Sequence, residues 1–164
     1  MLLGFCSDSH DHVENIRKAV TLFKKEGIHQ VIHAGDYCSP FTIPLFDGLN
    51  LHGIFGNNDG DHYLLMKKFD EIGAHLHGEF YRFEVGDIRF AVYHGTYPEI
   101  TESLECSGLY DVVVSGHTHQ VKEIEIGNTL SINPGSLNGF NEKATFAIYD
   151  TESKTVQIKT IDEN

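Results

Sequence analysis

The sequence predicts an α/β fold, and three observations carry that prediction. Short apolar runs alternate with amphipathic stretches in the first half of the chain, which is typical of a parallel sheet covered by helices. The second half carries pairs of apolar runs separated by short turns, which indicates hairpins. The length of 164 residues, with no repeat or linker, fits one domain over residues 1–164. We therefore expect two sheets packed together in a single domain.

Strands and helices are expected to alternate from residue 2 to residue 73. Apolar side chains recur at helical spacing from Val13 to Phe23, and Gly27 is placed to end that helix. The predicted elements are a strand over Leu2–Cys6, this helix, strands over Gln30–Ala34 and Leu51–Phe55 with a short Pro-flanked helix between them, and a helix over Tyr63–Ile72 closed by Gly73.

Hairpins dominate the remaining sequence. Gly86-Asp87 and Gly127-Asn128 are two-residue turn signals between apolar runs. The predicted strand pairs are Phe80–Val85 with Ile88–Tyr93, Val121–Ile126 with Thr129–Ile132, and Thr145–Tyr149 with Thr155–Thr160, while a helix over Pro98–Glu105 and a strand over Asp111–Ser115 lie between them.

The charge balance argues against polyanionic partners. Twelve Lys and Arg face 24 Asp and Glu, which gives a formal net charge of −12. Binding of duplex nucleic acid or an anionic membrane is therefore not expected, because such surfaces need clustered cations. Three widely spaced cysteines indicate neither a disulfide framework nor a zinc ribbon, and no apolar run suits a signal peptide or a membrane span. We expect a cytoplasmic protein.

Polar clusters follow five of the predicted strands. The carboxyl ends of strands in an α/β sheet lie together, so these clusters are expected to form one site. Imidazoles combined with carboxylate and amide oxygens suit Mn, Fe, Ni or Zn better than Ca or Mg. Seven donors exceed the three or four that one catalytic zinc takes, which predicts a dinuclear centre. The clusters are Asp8-Ser9-His10, Gly35-Asp36, Gly56-Asn57-Asn58-Asp59, His94-Gly95 and Gly116-His117-Thr118-His119.

These five clusters, in this order, resemble the motifs of the calcineurin-like metallophosphoesterase superfamily, and specifically its small single-domain prokaryotic phosphodiesterases. The resemblance runs from Asp8 to about Ser136. It implies a four-layer α/β/β/α sandwich, with two mixed sheets flanked by helices. It also implies that a hydroxide bridging two metals about 3.5–4 Å apart hydrolyses a small phosphodiester substrate.

The resemblance further implies two divalent metal ions per chain, with Mn or Ni expected and Fe, Co and Zn also compatible. Asp36 would bridge the two ions. The first metal would be held by Asp8, His10, Asp36 and His119, and the second by Asn57, His94 and His117 together with the shared Asp36.

Asn58 departs from the larger phosphatases of the superfamily, which carry His at this position. An amide can donate to a phosphoryl oxygen but cannot protonate a leaving alkoxide. The small phosphodiesterases of the superfamily also lack this His, so the resemblance favours that subgroup over a protein phosphatase. We assign Asn58 to substrate binding and to the catalytic set, with Asp59 and His12 as further catalytic candidates. His62 is a candidate substrate contact. For His12 and His62 the alternative is a solvated residue at the start of a helix.

Other residues are expected to be structural. Cys38 has no basic neighbour in the sequence and is interpreted as a packing thiol. The glycines of the clusters would permit tight backbone paths, and the loop 133–136 would shape the pocket floor. The histidines without a motif are His29, His33, His52, His75 and His77.

Two alternative functions stay open at this point. The chain could be a protein-binding scaffold, as is the retromer subunit related to these enzymes, although that relative departs from the pattern at metal positions and this chain does not. It could also be a phosphomonoesterase or a nucleotide pyrophosphatase. The physiological substrate and the oligomeric state, including a homo-oligomer, are not determined by the sequence.

Overall fold

The computed structural model describes residues 1–140 and 142–161. Strands and helices alternate in its first half as the sequence predicts. The elements are β1 (Leu2–Cys6), α1 (Val13–Lys25), β2 (Gln30–His33), a 3-10 helix (Pro40–Phe46), β3 (Asn50–Gly53), α2 (His62–Glu71), β4 (His75–Leu76), β5 (Phe80–Val85), β6 (Ile88–Tyr93), α3 (Pro98–Cys106), β7 (Val112–Val114), β8 (Val121–Ile126), β9 (Thr129–Pro134), β10 (Thr145–Asp150) and β11 (Thr155–Thr160).

The strands form two mixed sheets, which confirms the predicted fold class. The first sheet has the order β11-β10-β1-β2-β3-β4, with β1 to β4 parallel and the β10–β11 hairpin antiparallel at one side. The second sheet has the order β5-β6-β7-β9-β8, with parallel β6, β7 and β9 between two antiparallel edge strands. The three predicted hairpins are therefore present.

Two apolar layers hold the sheets and helices together. One layer lies between the first sheet and its helices, where Phe23, Phe46 and Phe69 are fully buried. The other lies between the two sheets and contains Phe5 and Phe90. Since α3 packs against the outer face of the second sheet, the molecule has the four layers expected of the sandwich.

The sequence-based boundaries differ from the structure at a few strand ends. The two-residue edge strand β4 was not predicted, because its apolar content is a single Leu. Strand β3 ends at Gly53, earlier than predicted, although the backbone N–H of Ile54 still donates to the His33 carbonyl. Within the described residues, no helix combines the length and apolarity needed to cross a membrane.

Candidate metal centre

The five polar clusters meet at one end of both sheets. Asp8 and Asp36 follow β1 and β2 of the first sheet, and His94 and His117 follow β6 and β7 of the second. The backbone N–H of Asp8 donates to the Gly35 carbonyl at 3.0 Å, so the first two clusters are joined directly. The predicted convergence of these loops is therefore present in the fold.

The backbone at this end of the sheets is strained. A positive φ in a residue other than glycine costs about 1–3 kcal/mol, and such residues concentrate at functional sites. Eight non-glycine residues in the described part of the chain have positive φ, and most of them belong to the clusters. Five are predicted metal ligands, namely Asp8, His10, Asp36, His117 and His119.

Two carboxylates lie at the centre of the cluster, out of contact with water. Asp8 and Asp36 are 0% and 1% exposed, and the described residues include no Lys or Arg in an ion pair with either. Their neighbours are imidazoles: His119 Nε2 lies 3.2 Å from Asp8 Oδ1. Burial would raise the pKa of the Asp8 carboxyl, but hydrogen bonds with His10 and His119 outweigh it and hold the pKa below its usual value.

Lone pairs converge around His94. Its Nδ1 lies 2.7 Å from the Ala34 carbonyl oxygen, which can only accept, so Nδ1 carries a proton and donates it. In a neutral ring Nε2 then bears a lone pair, yet it faces Asn57 Oδ1 at 3.0 Å and Asp36 Oδ2 at 3.3 Å. Such an arrangement needs a cation between the atoms or a proton on Nε2. Burial lowers the pKa of His94, but the Asp36 carboxylate outweighs this and raises it.

Two groups of three side chains could each hold a metal ion. In each group the donor atoms lie within 4.8 Å of one another. Asp8 belongs to both groups, whereas the resemblance implies Asp36 as the bridge. Asp36 also faces both, because its Oδ2 lies 3.6 Å from His10 Nε2 as well as 3.3 Å from His94 Nε2. The groups are Asp8 with His10 and His119, and Asp8 with Asp36 and His94.

The remaining predicted ligand, His117, lies at the rim of the second group. Its ring packs edge-to-face on His94 with the ring centres 5.3 Å apart. Its backbone N–H donates to Asp8 Oδ2 at 3.0 Å. The structure therefore brings His117 beside the centre and uses its backbone to orient a central carboxylate.

Asp59 is oriented towards the backbone, and the catalytic role predicted for it stays a prediction. Its carboxylate accepts four backbone N–H bonds at 2.7–3.1 Å, three of them from the loop that carries Asp36. Burial raises the pKa of Asp59, while these bonds act in the opposite direction. The four donors are Gly56, Asp36, Tyr37 and Cys38.

Asn58 is hydrogen-bonded to Asp36, and its predicted role as a substrate contact stays a prediction. Its side-chain Nδ2 donates to Asp36 Oδ2 at 2.8 Å, and its backbone N–H donates to Asp36 Oδ1 at 2.8 Å. Both donors therefore fix the plane of the Asp36 carboxylate. The amide is aimed at a predicted ligand rather than at open space.

Cys38 has a basic partner that sequence distance concealed. Its Sγ lies 3.2 Å from His10 Nδ1. Burial is the main cause that raises the pKa of this thiol to about 12, which suits the packing role predicted for it. If His10 uses Nε2 as a metal ligand, Nδ1–H must donate to this sulfur, which makes Cys38 a support for the ring.

His12 and His62 both occupy helix starts. His12 is the N-cap of α1, and its Nδ1 accepts the backbone N–H of Asn15 at 3.2 Å. His62 begins α2 and stacks on Phe55, with ring centres 3.9 Å apart. Among the described residues, neither imidazole contacts Asp8 or Asp36. Both positions fit the alternative role at a helix start, and the catalytic and substrate roles stay predictions.

The histidines outside the motifs fall into two environments. His33 is fully buried, contacts Ser9 Oγ at 3.0 Å, and has its pKa lowered to about 3 mainly by burial, which suits the structural role predicted for it. His52 and His77 lie 2.9 Å apart, between Nδ1 and Nε2, near the edge strand β4. This pairing was missed because the two residues are 25 positions apart.

The loop 133–136 is hydrogen-bonded to two of the polar clusters of the centre. Asn133 Nδ2 donates to the Gly116 carbonyl at 2.7 Å, and Ser136 Oγ donates to the Asp8 carbonyl at 2.8 Å.

Two glycines of the clusters lie against the central carboxylates. A Cβ on Gly116 would lie 2.6 Å from Asp8 Oδ2, and one on Gly56 would overlap Asp36 Oδ1. Only glycine therefore lets these two loops approach the carboxylates.

The chain is similar to known proteins over most of its length. Residues 1–154 match the calcineurin-like phosphoesterase superfamily domain, and the chain belongs to that superfamily. It is 40% identical over 158 residues to a phosphodiesterase of Methanocaldococcus jannaschii, covering 94% of this chain and 95% of the relative. It is 32% identical over 144 residues to a probable metallophosphoesterase of Methanothermobacter thermautotrophicus, covering 83% and 77%.

A solved structure of an archaeal phosphodiesterase has the same fold. Its TM-score is 0.92 at 38% sequence identity, and the match covers 98% of this chain and 99% of that one. The superfamily implies divalent metal ions, and the donor set described above fits such ions.

Proposed function

We propose that the protein is a metal-dependent phosphodiesterase acting on small phosphodiesters. The observation that carries the proposal is the convergence of acceptor atoms around His94, where Nε2, Asn57 Oδ1 and Asp36 Oδ2 face one another. These atoms need either a cation among them or a proton on Nε2, and one divalent ion would satisfy all three acceptors together. The relatives named as phosphodiesterases, similar over nearly the whole chain, support the same reaction.

Some residues of the chain would bind the metal ions, and others would orient those ligands. When bound, two divalent ions lower the pKa of water and neutralise phosphoryl oxygens. Asp8, Asp36 and His94 would bind them from the buried side, and His10 and His119 from the more open side. Asn57 would add an amide oxygen and His117 a further imidazole.

We further propose Mn or Ni as the working metal and the cytoplasm as the location. Imidazole-rich sites favour these ions over Ca and Mg. All three cysteines are free, which supports a reducing compartment.

The first experiment measures metal content and turnover of purified chain loaded with Mn or Ni. We expect two ions per chain and hydrolysis of bis(p-nitrophenyl) phosphate that chelation abolishes reversibly. At most one ion per chain would contradict the dinuclear centre. No turnover with Mn, Ni, Co or Zn bound would contradict the enzyme and favour a scaffold.

Asp36→Asn tests the central carboxylate in the same assay. The substitution removes charge from the group with Asp8 and His94, and from beside His10 of the other group. We therefore expect metal content to fall and kcat/KM to drop at least about 100-fold, in line with the loss of a central electrostatic contact. Asp70→Asn, in an exposed position near the end of α2, is the matched control and should behave as wild type. Wild-type activity of Asp36→Asn would remove its assignment as bridge.

A further inference from the structure

A cleft opens directly beside the metal centre. Its volume is about 210 Å³, and its walls include Asn57 and His94, two of the predicted ligands of the second metal. A phosphate group bound at the centre would therefore place one of its ester groups at the mouth of this cleft. The shape and chemistry of the cleft should then select that ester group.

The cleft walls are rich in aromatic side chains. Phe55, Tyr93 and Tyr97 all line it. The Phe55 ring is backed by His62, which stacks on it at 3.9 Å with an angle of 15° between the planes. Aromatic faces bind flat π-systems, and base stacking on such side chains is worth about 1–3 kcal/mol per ring.

Tyr97 is held in place by its backbone while its ring stays accessible. The Tyr97 N–H donates to the Tyr93 hydroxyl at 3.2 Å, and Pro98 starts α3 immediately afterwards. Thr96 Oγ1 lies 3.5 Å from Asn57 Oδ1, so the same short loop reaches a predicted ligand. The Tyr97 side chain is nevertheless 62% exposed. A large ring kept in water beside a reactive centre is positioned to cover a ligand.

Charge and size restrict what the cleft can accept. Glu79 lies on its wall, and the described lining residues include no Lys or Arg. A second phosphate or a carboxylate on the ester group would therefore be repelled, whereas an uncharged ring or one with N–H donors would not. Pockets for drug-sized ligands have volumes of about 300–1,000 Å³, so a cleft of this volume suits one ring and not a second nucleotide.

We infer that this cleft binds a planar, uncharged aromatic group carried on one ester oxygen of the substrate, with Tyr97 as the specificity-determining residue. The inference rests on the proposed function, because the phosphate must lie at the metal centre. An aryl ring and a nucleobase share this chemistry. The centre would thus act on aryl or nucleoside phosphodiesters in preference to alkyl ones.

Calorimetric titration of the Mn-saturated protein tests the inference without turnover. The probes are methyl phosphate, phenyl phosphate and thymidine 5′-monophosphate. We expect an aromatic probe to bind about 5–150-fold more tightly than methyl phosphate, which is the stacking range above converted to a ratio. A stronger gain for the thymidine compound would assign the cleft to nucleosides, and a stronger gain for phenyl phosphate to simple aryl groups.

Variants separate the cleft from the metal centre. Tyr97→Ala should abolish the aromatic preference and leave methyl phosphate affinity unchanged, while Tyr97→Phe should retain the preference. Tyr63→Ala is the matched control, because Tyr63 is 64% exposed on α2 and does not line the cleft. Glu79→Gln should improve binding of 4-carboxyphenyl phosphate relative to phenyl phosphate.

The outcomes distinguish this inference from the proposed function. Equal affinity for methyl and aromatic probes, or an aromatic preference that survives Tyr97→Ala, would overturn the cleft assignment even if diesters are hydrolysed. Absence of turnover in the Mn-saturated protein would instead count against the proposed function, and the titration of that protein would still report on the cleft.

Discussion

Asn58 gives two hydrogen bonds to Asp36 and occupies the position where the larger phosphatases carry a histidine. A side-chain amide donates hydrogen bonds but does not transfer a proton near neutral pH. A departing oxygen therefore cannot be protonated from this position. General acid assistance is typically worth about 10²–10⁴-fold. Asn58 therefore orients a carboxylate, and we expect the leaving group to depart without acid assistance from this position.

We expect the rate to depend steeply on leaving-group pKa, with nitrophenolate esters cleaved far better than alkyl esters. Asn58→His should flatten that dependence by supplying an acid. The measurement is kcat/KM for a series of aryl and alkyl phosphodiesters.

Asn58→Ala is the matched control, because it removes the amide without adding an acid and should keep the steep slope. A shallow slope in the wild type would mean that another residue donates the proton. His12 and His62 would then be the first candidates, through ring nitrogens other than those described.

At the scale of elements, the centre depends on close approach between loops of the first sheet. The loop after β2 and the loop after β3 meet where Gly56 lies against Asp36. The backbone N–H of Gly56 also donates to Asp59 Oδ2 at 2.7 Å. Asp59 thus ties together the loop that carries Asp36 and the loop that carries Asn57 and Asn58. Asp36 has a positive φ, and the hydrogen bonds to Asp59 hold its backbone in this strained conformation.

Gly56→Ala should push Asp36 out of position while leaving both apolar layers intact. We expect loss of metal binding and a kcat/KM at least about 100-fold lower, since small displacements of a catalytic group have costs of that order. Gly60→Ala is the control in the same loop, where a Cβ would lie 3.2 Å from the Cys38 carbonyl and small shifts relieve it. Full metal occupancy in Gly56→Ala would refute the close-approach argument.

At the scale of the whole molecule, the fold places two buried carboxylates and several imidazoles in a chain of net charge −12. A divalent cation bound there relieves repulsion that the apo protein has to tolerate. Any ligand that binds only the folded state stabilises it, by about 2.7 kcal/mol at a free concentration of 100 times Kd.

We therefore expect Mn or Ni to raise the Tm of chelator-treated protein by roughly 5–11 °C per such site, using the usual conversion for a domain of this size. Differential scanning calorimetry with and without metal measures the shift, and Asp36→Asn should lose most of it. An unchanged Tm at saturating Mn and Ni would contradict a buried cation site.

Much of the fold follows from local patterns in the sequence. The alternation of apolar runs and amphipathic stretches, together with the turn-separated apolar pairs, predicted the α/β class and all but one of the strands. Such patterns are informative because a residue buried on a sheet face has to be apolar. Strand β4 was not predicted, because a strand of two residues is too short to show an alternating apolar pattern. The polar clusters after five strands also determined which donors would meet, because the carboxyl ends of parallel strands lie together in any such sheet.

The tertiary structure alone decided how those residues are used. Asp59, Asn58 and Cys38 support the centre through partners 21–28 positions away in the chain, and sequence spacing carries no information about side-chain direction. The aromatic cleft likewise joins Phe55 to Tyr97 across two sheets. Residue types fix what chemistry is available, but hydrogen-bond direction and approach distance exist only once the loops are folded against each other.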